Sequence, residues 1–262
     1  MNIPSYQEKQ IRFFNDIYKD DVTKASLQDF CTNLDRGTKV LGNETECIKY
    51  IARYGGHHFH KLYTAYASTK FENIKGENIE IIDWGCGQAL ATCVLIDYLI
   101  ENNIDLNVSS ITLVDPSEPA LQRGCSLIRQ MFQNDASVDS MVRQVNKYID
   151  NLTTTDFVSE TDSIKIHLFS NIIDLKEFDL KQLHQLIIGS FRGRNRVICV
   201  SPDNPKKQRL EDFYNLFLES HEFTVPFTSS EEIFGVIFYD LTGKYEKRRI
   251  GRCEKQFTVN LT

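Results

Sequence analysis

Apolar residues recur at helical spacing through Tyr6 to Tyr18, Leu27 to Leu34 and Glu44 to Phe71. From about residue 76 the pattern changes to short apolar runs that alternate with amphipathic stretches. Ile79-Glu80-Ile81-Ile82-Asp83 predicts a strand, followed by a glycine turn and a helix through Ala89 to Tyr98, the opening of a βαβ unit. Ile111-Thr112-Leu113-Val114-Asp115 predicts a second strand, and Pro116 with Ser117 starts a helix carrying Leu121, Leu127 and Met131. Met141 to Val145 fits a third strand, although a helix extended through Ile149 competes for the same residues. Ile164 to Ser170 gives a fourth strand, Leu180 to Ile188 a helix, and Arg196 to Ser201 a fifth strand ended by Pro202. Lys206 to Leu218 has helical periodicity, while Ile233 to Leu241 and Gln256 to Leu261 read as closing strands. Gly243 and a basic, polar stretch separate these two, which are placed to pair antiparallel at the sheet edge. The sum is an α/β chain: a doubly wound, mostly parallel seven-stranded sheet with an antiparallel edge, preceded by an N-terminal helical segment. Residues 1–75 are expected to form a helical lead-in packing on the core, and residues 76–262 the sheet domain.

In a doubly wound sheet, ligands bind beyond the carboxyl ends of the strands, where the first βα turn aims main-chain N–H groups into a crevice. Asp83-Trp84-Gly85-Cys86-Gly87-Gln88-Ala89 occupies that turn. Gly85 and Gly87 admit backbone angles closed to larger residues, and Ala89 is small enough to continue a close approach. A dinucleotide turn needs Gly-x-Gly-x-x-Gly with an acid about 20 residues later. Here Leu90 stands at the third glycine's place and Asp115 lies further on. Gly-x-Gly alone also fits a structural turn without a ligand.

The stretch Ile81 to Ala89 resembles the class I S-adenosylmethionine (SAM)-dependent methyltransferase motif, in which an acid ends the first strand and three small residues follow at alternating positions. Leu113-Val114-Asp115 matches the family's acid at the end of its second strand. The resemblance implies a Rossmann-like fold, methyltransferase activity and SAM as cofactor. It assigns Asp83, Gly85, Cys86, Gly87, Ala89, Asp115, Pro116 and Asn146 to the donor. Gly85 and Gly87 would wall the methionine part, with Ala89 in place of the usual glycine. Asp83 would organise the loop and the donor's amino end, and Asp115 would accept hydrogen bonds from the ribose hydroxyls. Asn146 falls at the adenine position, with Lys147 as an unusual neighbour; a solvated loop is the other reading of that pair. Asn171, just past the fourth strand, is the acceptor-side candidate for catalysis, while helix capping would equally account for Asn171 and Asp174. The Asn/Asp-Pro-Pro-aromatic signature of amino-group methyltransferases is not present there, so methylation of a nucleobase amine is not supported.

Outside the sheet, Tyr54-Gly55-Gly56-His57-His58-Phe59-His60 brings three imidazoles next to a flexible glycine pair. These residues could cover the donor pocket, with His58 or His60 orienting an acceptor or acting as a base near neutral pH. No matching cysteine or acid cluster accompanies them, so no metal site is expected. Arg192, Arg194, Arg196, Lys206, Lys207 and Arg209 form one basic cluster, and Lys244, Lys247, Arg248, Arg249 and Arg252 another. RNA contact is one reading of these clusters, and a solvated face the other.

Composition narrows the class further. The chain has 262 residues, 41% hydrophobic and 25% charged, enough to bury a substantial core and unlike a disordered chain. A formal net charge of -6 gives no broad attraction for nucleic acid or anionic membrane. The most apolar stretch, Ala89 to Ile100, is interrupted by Asp97 and falls short of the roughly 20 residues of a membrane helix. Seven scattered cysteines without a Cys-x-x-Cys pair, and an N-terminus unlike a signal peptide, are what a cytoplasmic protein with reduced thiols would carry. Three functions fit: methyl transfer from SAM to an RNA, protein or small-molecule acceptor; a noncatalytic SAM-binding or partner-binding domain; and a nucleotide-dependent oxidoreductase.

Overall fold

The computed structural model describes residues 11–25, 34–133, 135–218, 222–223 and 226–262. The helical spacing expected before Ile11, nearly all of that expected from Leu27 to Leu34, and Cys31 lie outside them. Five strands run parallel. β1 (Asn78–Trp84) is central, between β2 (Asn107–Val114) and β4 (Ile164–Ser170), with β3 (Val142–Val145) beyond β2 and β5 (Gly193–Pro202) beyond β4. β8 (Lys244–Leu261) pairs antiparallel with β5, and β6 (Glu222–Phe223) and β7 (Phe227–Tyr239) pair antiparallel with β8. The sheet is therefore doubly wound and mostly parallel with an antiparallel edge, as expected. The two-residue β6 is added to the seven strands read from the sequence.

Both faces of the sheet are covered, which is why its inner strands read as nearly continuous apolar runs. Ile79 and Ile81 of β1 join one core with α4 (Leu90–Glu101) and α5 (Glu118–Met131), while Ile82 and Trp84 join a second with α7 (Leu180–Ser190) and α8 (Gln208–Leu218). α4 is buried along nearly its whole length, from Leu90 to Ile100. The cause is a third layer, α3 (Gly56–Ser68), packed on its outer side, so α4 has no solvent face to make polar. Phe13, Ile17, Tyr18, Ile51, Leu62 and Tyr66, all from before β1, belong to the same core as Ile79 and Ile81. Arg12 pairs with Asp97 Oδ1 at 3.6 Å and Phe13 N donates to Asp97 Oδ2 at 2.9 Å, which gives the acid inside the apolar α4 run its partners.

Several boundaries differ from the sequence reading, each for a physical reason. The third strand begins at Val142 because a short helix, α6 (Ser137–Met141), takes Met141. α5 is capped by Ser117, which accepts from Ala120 N, and Pro119 rather than Pro116 occupies its first turn. Gly55 and Gly56 are not a flexible pair. They sit inside helical backbone running from α2 (Glu44–Tyr50) through a π-turn (Ile51–Gly55) into α3. A Cβ at Gly56 would lie 2.7 Å from the Tyr18 hydroxyl and 2.8 Å from Ile237, so glycine is needed there for close packing. The basic stretch before Gln256 is strand rather than loop. Gly243, at φ 64, closes a hairpin between β7 and β8, and Arg252, almost fully buried in it, pairs with Glu254 and Glu231.

At the centre of the second core, Trp84 Nε1 donates to His167 Nδ1 at 3.2 Å, and His167 Nε2 lies 3.0 Å from Asn195 Oδ1. Indole is only a donor, so His167 is the neutral Nε2–H tautomer. Burial, the largest cause, lowers its pKa from 6.5 to about 4, with the Asn195 bond opposing and the Lys165 charge assisting. The unfolded chain takes up this proton first as pH falls below 6.5. His167 therefore contributes stability that is present above that value and is lost on acidification toward 4. Its ring signals in long-range nitrogen–proton NMR are expected to stay those of the Nε2–H tautomer down to about pH 5, within the range that shift implies. Titration at the ordinary histidine value would contradict the assignment.

Candidate cofactor-binding site

Backbone conformation shapes the turn after β1. Gly85, Gly87 and Ala89 all lie in the left-handed region, at φ 58, 52 and 58. The first two are glycines, as such angles favour, whereas Ala89 carries a side chain at a strained angle and directly precedes α4. The surroundings of the two glycines differ. A Cβ on Gly85 would meet Ile172 Cδ1 at 2.7 Å, whereas one on Gly87 would meet nothing within 4 Å. Gly85→Ala is thus expected to destabilise the fold by about 2 kcal/mol, through strain and overpacking. Gly87→Ala should cost about 1 kcal/mol of stability and act chiefly on ligand binding. Equal denaturation midpoints for the two variants would contradict this division.

The carboxylates around the turn are already oriented. Asp83 is fully buried, and its Oδ2 accepts from Thr92 N at 3.2 Å and Thr92 Oγ1 at 2.8 Å in the first turn of α4. Its Oδ1 has no hydrogen-bond partner among the described residues, and burial pushes its pKa up to about 7 against the Thr92 bonds. Asp115 follows β2; its Oδ2 accepts from Gly87 N and its Oδ1 from Ser117 N, both at 2.8 Å. Burial raises its pKa above the usual carboxylate value, and those two bonds partly oppose the rise. A carboxylate offers about four acceptor positions, so each Asp115 oxygen keeps capacity for another donor.

A cavity of about 220 Å³ opens at the carboxyl ends of β1, β2 and β4. Among the residues singled out from the sequence, Gly85, Gly87, Asp115, Pro116 and Asn171 line it. Asp83, Cys86 and Ala89 are buried beneath the turn. Asn146 lies beside the cavity, where its Nδ2 donates to the Asp115 carbonyl at 3.1 Å and ties the ends of β2 and β3 together. The following residues, Lys147 to Asp150, form the wall instead, and Lys147 is paired with Asp156 at 2.6 Å. Asn171 adopts φ 55 and donates N–H to the Val200 carbonyl at 2.7 Å, bridging β4 to β5. Neither it nor Asp174 caps a helix. Asp174 is buried and accepts from Ser201 and Asn204, while Asp179 caps α7.

His58 does not line the cavity. It sits between Tyr50 and Tyr54, at ring-centroid distances of 5.9 and 6.5 Å, with Tyr50 forming part of the wall. Burial holds the His58 pKa well below the usual value, assisted by the charges of Lys61 and His57. His60 packs against β7 with Nε2 3.1 Å from the Val236 carbonyl. Among the described residues, no three His, Cys, Asp or Glu side chains gather as a metal site.

The lead-in supplies cavity residues that carried no local signal, including Thr38, Leu41 and Tyr50. Ser117 Oγ donates to the Leu41 carbonyl at 2.6 Å, and Gln88 Nε2 to the Cys47 carbonyl at 3.0 Å, fastening this segment to the turn. Ser170 and the Tyr148–Asp150 run were also missed. Ser170 is the last residue of β4, and Tyr148–Asp150 stand three to five residues past β3, so the signal lies in the strand end itself and in the whole of the loop that follows. A wider concavity of about 600 Å³ lies between Asp21 and α5, away from the strand ends; there Asp21 is held by Arg123 at 2.6 Å.

The basic clusters are largely consumed internally. Arg194 pairs with Glu77, Lys207 with Asp203, Arg248 with Glu246 and Arg249 with Glu232, while Arg192, Arg196 and Arg209 donate to backbone carbonyls. No helix among the described residues is long and apolar enough to cross a membrane. Cys47, Cys86, Cys93, Cys125, Cys199 and Cys253 are free thiols.

No family model matches the chain, and no curated protein matches it. The solved structures similar to it are mostly SAM-dependent methyltransferases. The plantazolicin methyltransferase BpumL, in complex with a monoazolic desmethylPZN analog and S-adenosylhomocysteine (SAH), is 11% identical with a TM-score of 0.48, covering 94% of this chain and 100% of that one. The SAM-dependent O-methyltransferase TM0748 from Thermotoga maritima is 11% identical with a TM-score of 0.43, covering 76% and 64%. The YcgJ protein from Bacillus subtilis is 10% identical with a TM-score of 0.45, covering 78% and 99%.

Proposed function

We propose that the chain is a SAM-dependent methyltransferase. The observation that carries this reading is the bond from Gly87 N to the Asp115 carboxylate, which joins the glycine turn of β1 to the acid ending β2 at the mouth of the cavity. The residues fit the donor. Gly87 leaves open space where a Cβ would stand, Asp115 retains acceptor capacity for a ribose diol, and Asp83 Oδ1, without a hydrogen-bond partner among the described residues, lies beneath the turn. Asp150, on the wall formed by the β3 loop, supplies a carboxylate beside the adenine position. When bound, SAM supplies an electrophilic methyl group on a sulfonium.

The protein's own contribution is to align donor and acceptor and to exclude water, which is where proximity effects arise. Ser170 and Asn171, at the end of β4, hold the acceptor edge. The internal pairing of the basic clusters removes their support for an RNA acceptor and leaves protein and small-molecule acceptors as the better-supported classes. A binding domain without transfer would use the same turn, so two measurements are needed. Calorimetry with SAM, SAH and NAD should give heat for the first two only. Radiolabelled methyl transfer into cell extract should then label an acceptor; donor binding with no label in any fraction would establish the binding-only domain.

A further inference from the structure

One buried charge near this site has no ion-pair partner among the described residues, and the carboxylate of Asp174 acts on it only through space. Lys61 of α3 is 4% exposed, and among the described residues no carboxylate lies within ion-pair distance of its Nζ. Its hydrogen-bond partner is the Oδ1 of Asn171, the residue that lines the cavity past β4. Placing an ammonium in such surroundings is costly unless something anionic compensates it.

The pairing fixes the chemistry that Asn171 shows to a ligand. An ammonium only donates, so Oδ1 must face Lys61 and the amide orientation is determined. Asn171 Nδ2 uses one hydrogen on Ser170 Oγ, at 3.0 Å, and retains the other. Ser170 Oγ accepts there and keeps its own O–H to donate, and both residues line the cavity. Two donors backed by a positive charge therefore stand at the acceptor edge. The amide oxygen that would orient an amine acceptor is held by Lys61.

We propose that Lys61 is a positioning residue acting through Asn171, and that the pair selects a methyl acceptor bearing an anionic oxygen, a carboxylate or a phenolate. The inference rests on the methyl-transfer reading and names its substrate class. In the transfer, a lone pair of the acceptor oxygen forms the new C–O bond as the methyl C–S bond breaks. The negative oxygen becomes a neutral methyl ester or ether, and the sulfonium becomes the neutral thioether of SAH. No proton is left to remove, so no general base is needed.

The test uses full-length protein saturated with SAH, and titrates three probes of similar shape: benzoate, benzamide and benzylamine. Binding is followed by NMR at the Asn171 side-chain amide. Benzoate is expected to shift that signal and to bind about tenfold more tightly than either neutral benzamide or cationic benzylamine, the difference of one charge-assisted hydrogen bond. In Lys61→Met the preference should collapse to within about twofold, as one such bond is lost, while SAH affinity is unchanged. Lys61→Arg should restore part of the preference. Should Lys61→Met fail to fold, Asn171→Asp, which removes the N–H donor and with it the amide signal, should abolish the benzoate preference on its own, with the three affinities then read by calorimetry. A preference for benzylamine, no benzoate shift at Asn171, or an undiminished benzoate preference in Lys61→Met or Asn171→Asp would each overturn the proposal. Failure of SAH to bind wild-type protein would instead overturn the donor reading on which it rests, and the proposal with it.

Discussion

Asp115→Ala is expected to weaken SAH binding by about a hundredfold, the effect of losing two hydrogen bonds to a charged group. The carboxylate stands at the mouth of the cavity with one backbone N–H already on each oxygen, so it is oriented before the ligand arrives. That preorganisation makes the loss large, because little of the binding energy is spent on fixing the side chain. The same substitution frees Gly87 N and Ser117 N, so part of the loss arises from a loosened turn. Asp115→Asn separates the two contributions. It keeps one oxygen acceptor but places an N–H donor where a second oxygen stood, and should fall between wild type and alanine. SAH affinity within about threefold of wild type for Asp115→Ala, a difference below one ordinary hydrogen bond, would contradict the ribose role.

The largest effect on stability is expected from Trp84→Ala, at about 3–5 kcal/mol, as found for deletion of large buried aromatics. Trp84 is fully buried at the end of β1, stacked on Phe169 with ring centroids 5.7 Å apart and packed against Phe157 at 5.2 Å. Its removal opens a cavity in the core between the sheet, α7 and α8 and leaves His167 Nδ1 without its donor, so the apolar and polar losses add. A loss of that size is a large share of the 5–15 kcal/mol typical of a folded domain. Because this is the only tryptophan, unfolding should be followed by far-ultraviolet circular dichroism in denaturant. A change below about 1.5 kcal/mol would mean that the site collapses to fill the void, at odds with the stacking described.

The legible parts of the fold were those in which one residue pattern had one physical solution. Strands buried on both faces appear as compact apolar runs, so β1 and β4 could be read nearly to the residue, while β2 begins four residues earlier than expected, in the more polar Asn107 to Ser110. The β7–β8 hairpin could not, because the Lys and Arg residues that resembled a solvated loop are neutralised across the strands by partners such as Glu232 and Glu231. Hydropathy alone does not show that pairing. In the candidate site, the turn and Asp115 were visible because positive-φ glycines and a strand-ending acid are local features. Tyr50, Leu41 and Lys61 arrive by packing of the lead-in across the sheet and have no signature in their own neighbourhoods. Of the three imidazoles that stood out as a cluster, His58 packs between Tyr50 and Tyr54 and His60 against β7.

Donor binding is the most direct test of the central claim. Isothermal calorimetry on the full chain should show SAM and SAH binding at one site, tighter than about 1 mM and within the usual range for an enzyme's small-molecule substrates, with no measurable heat from NAD. Binding of NAD, or no binding of either SAM or SAH, would contradict it.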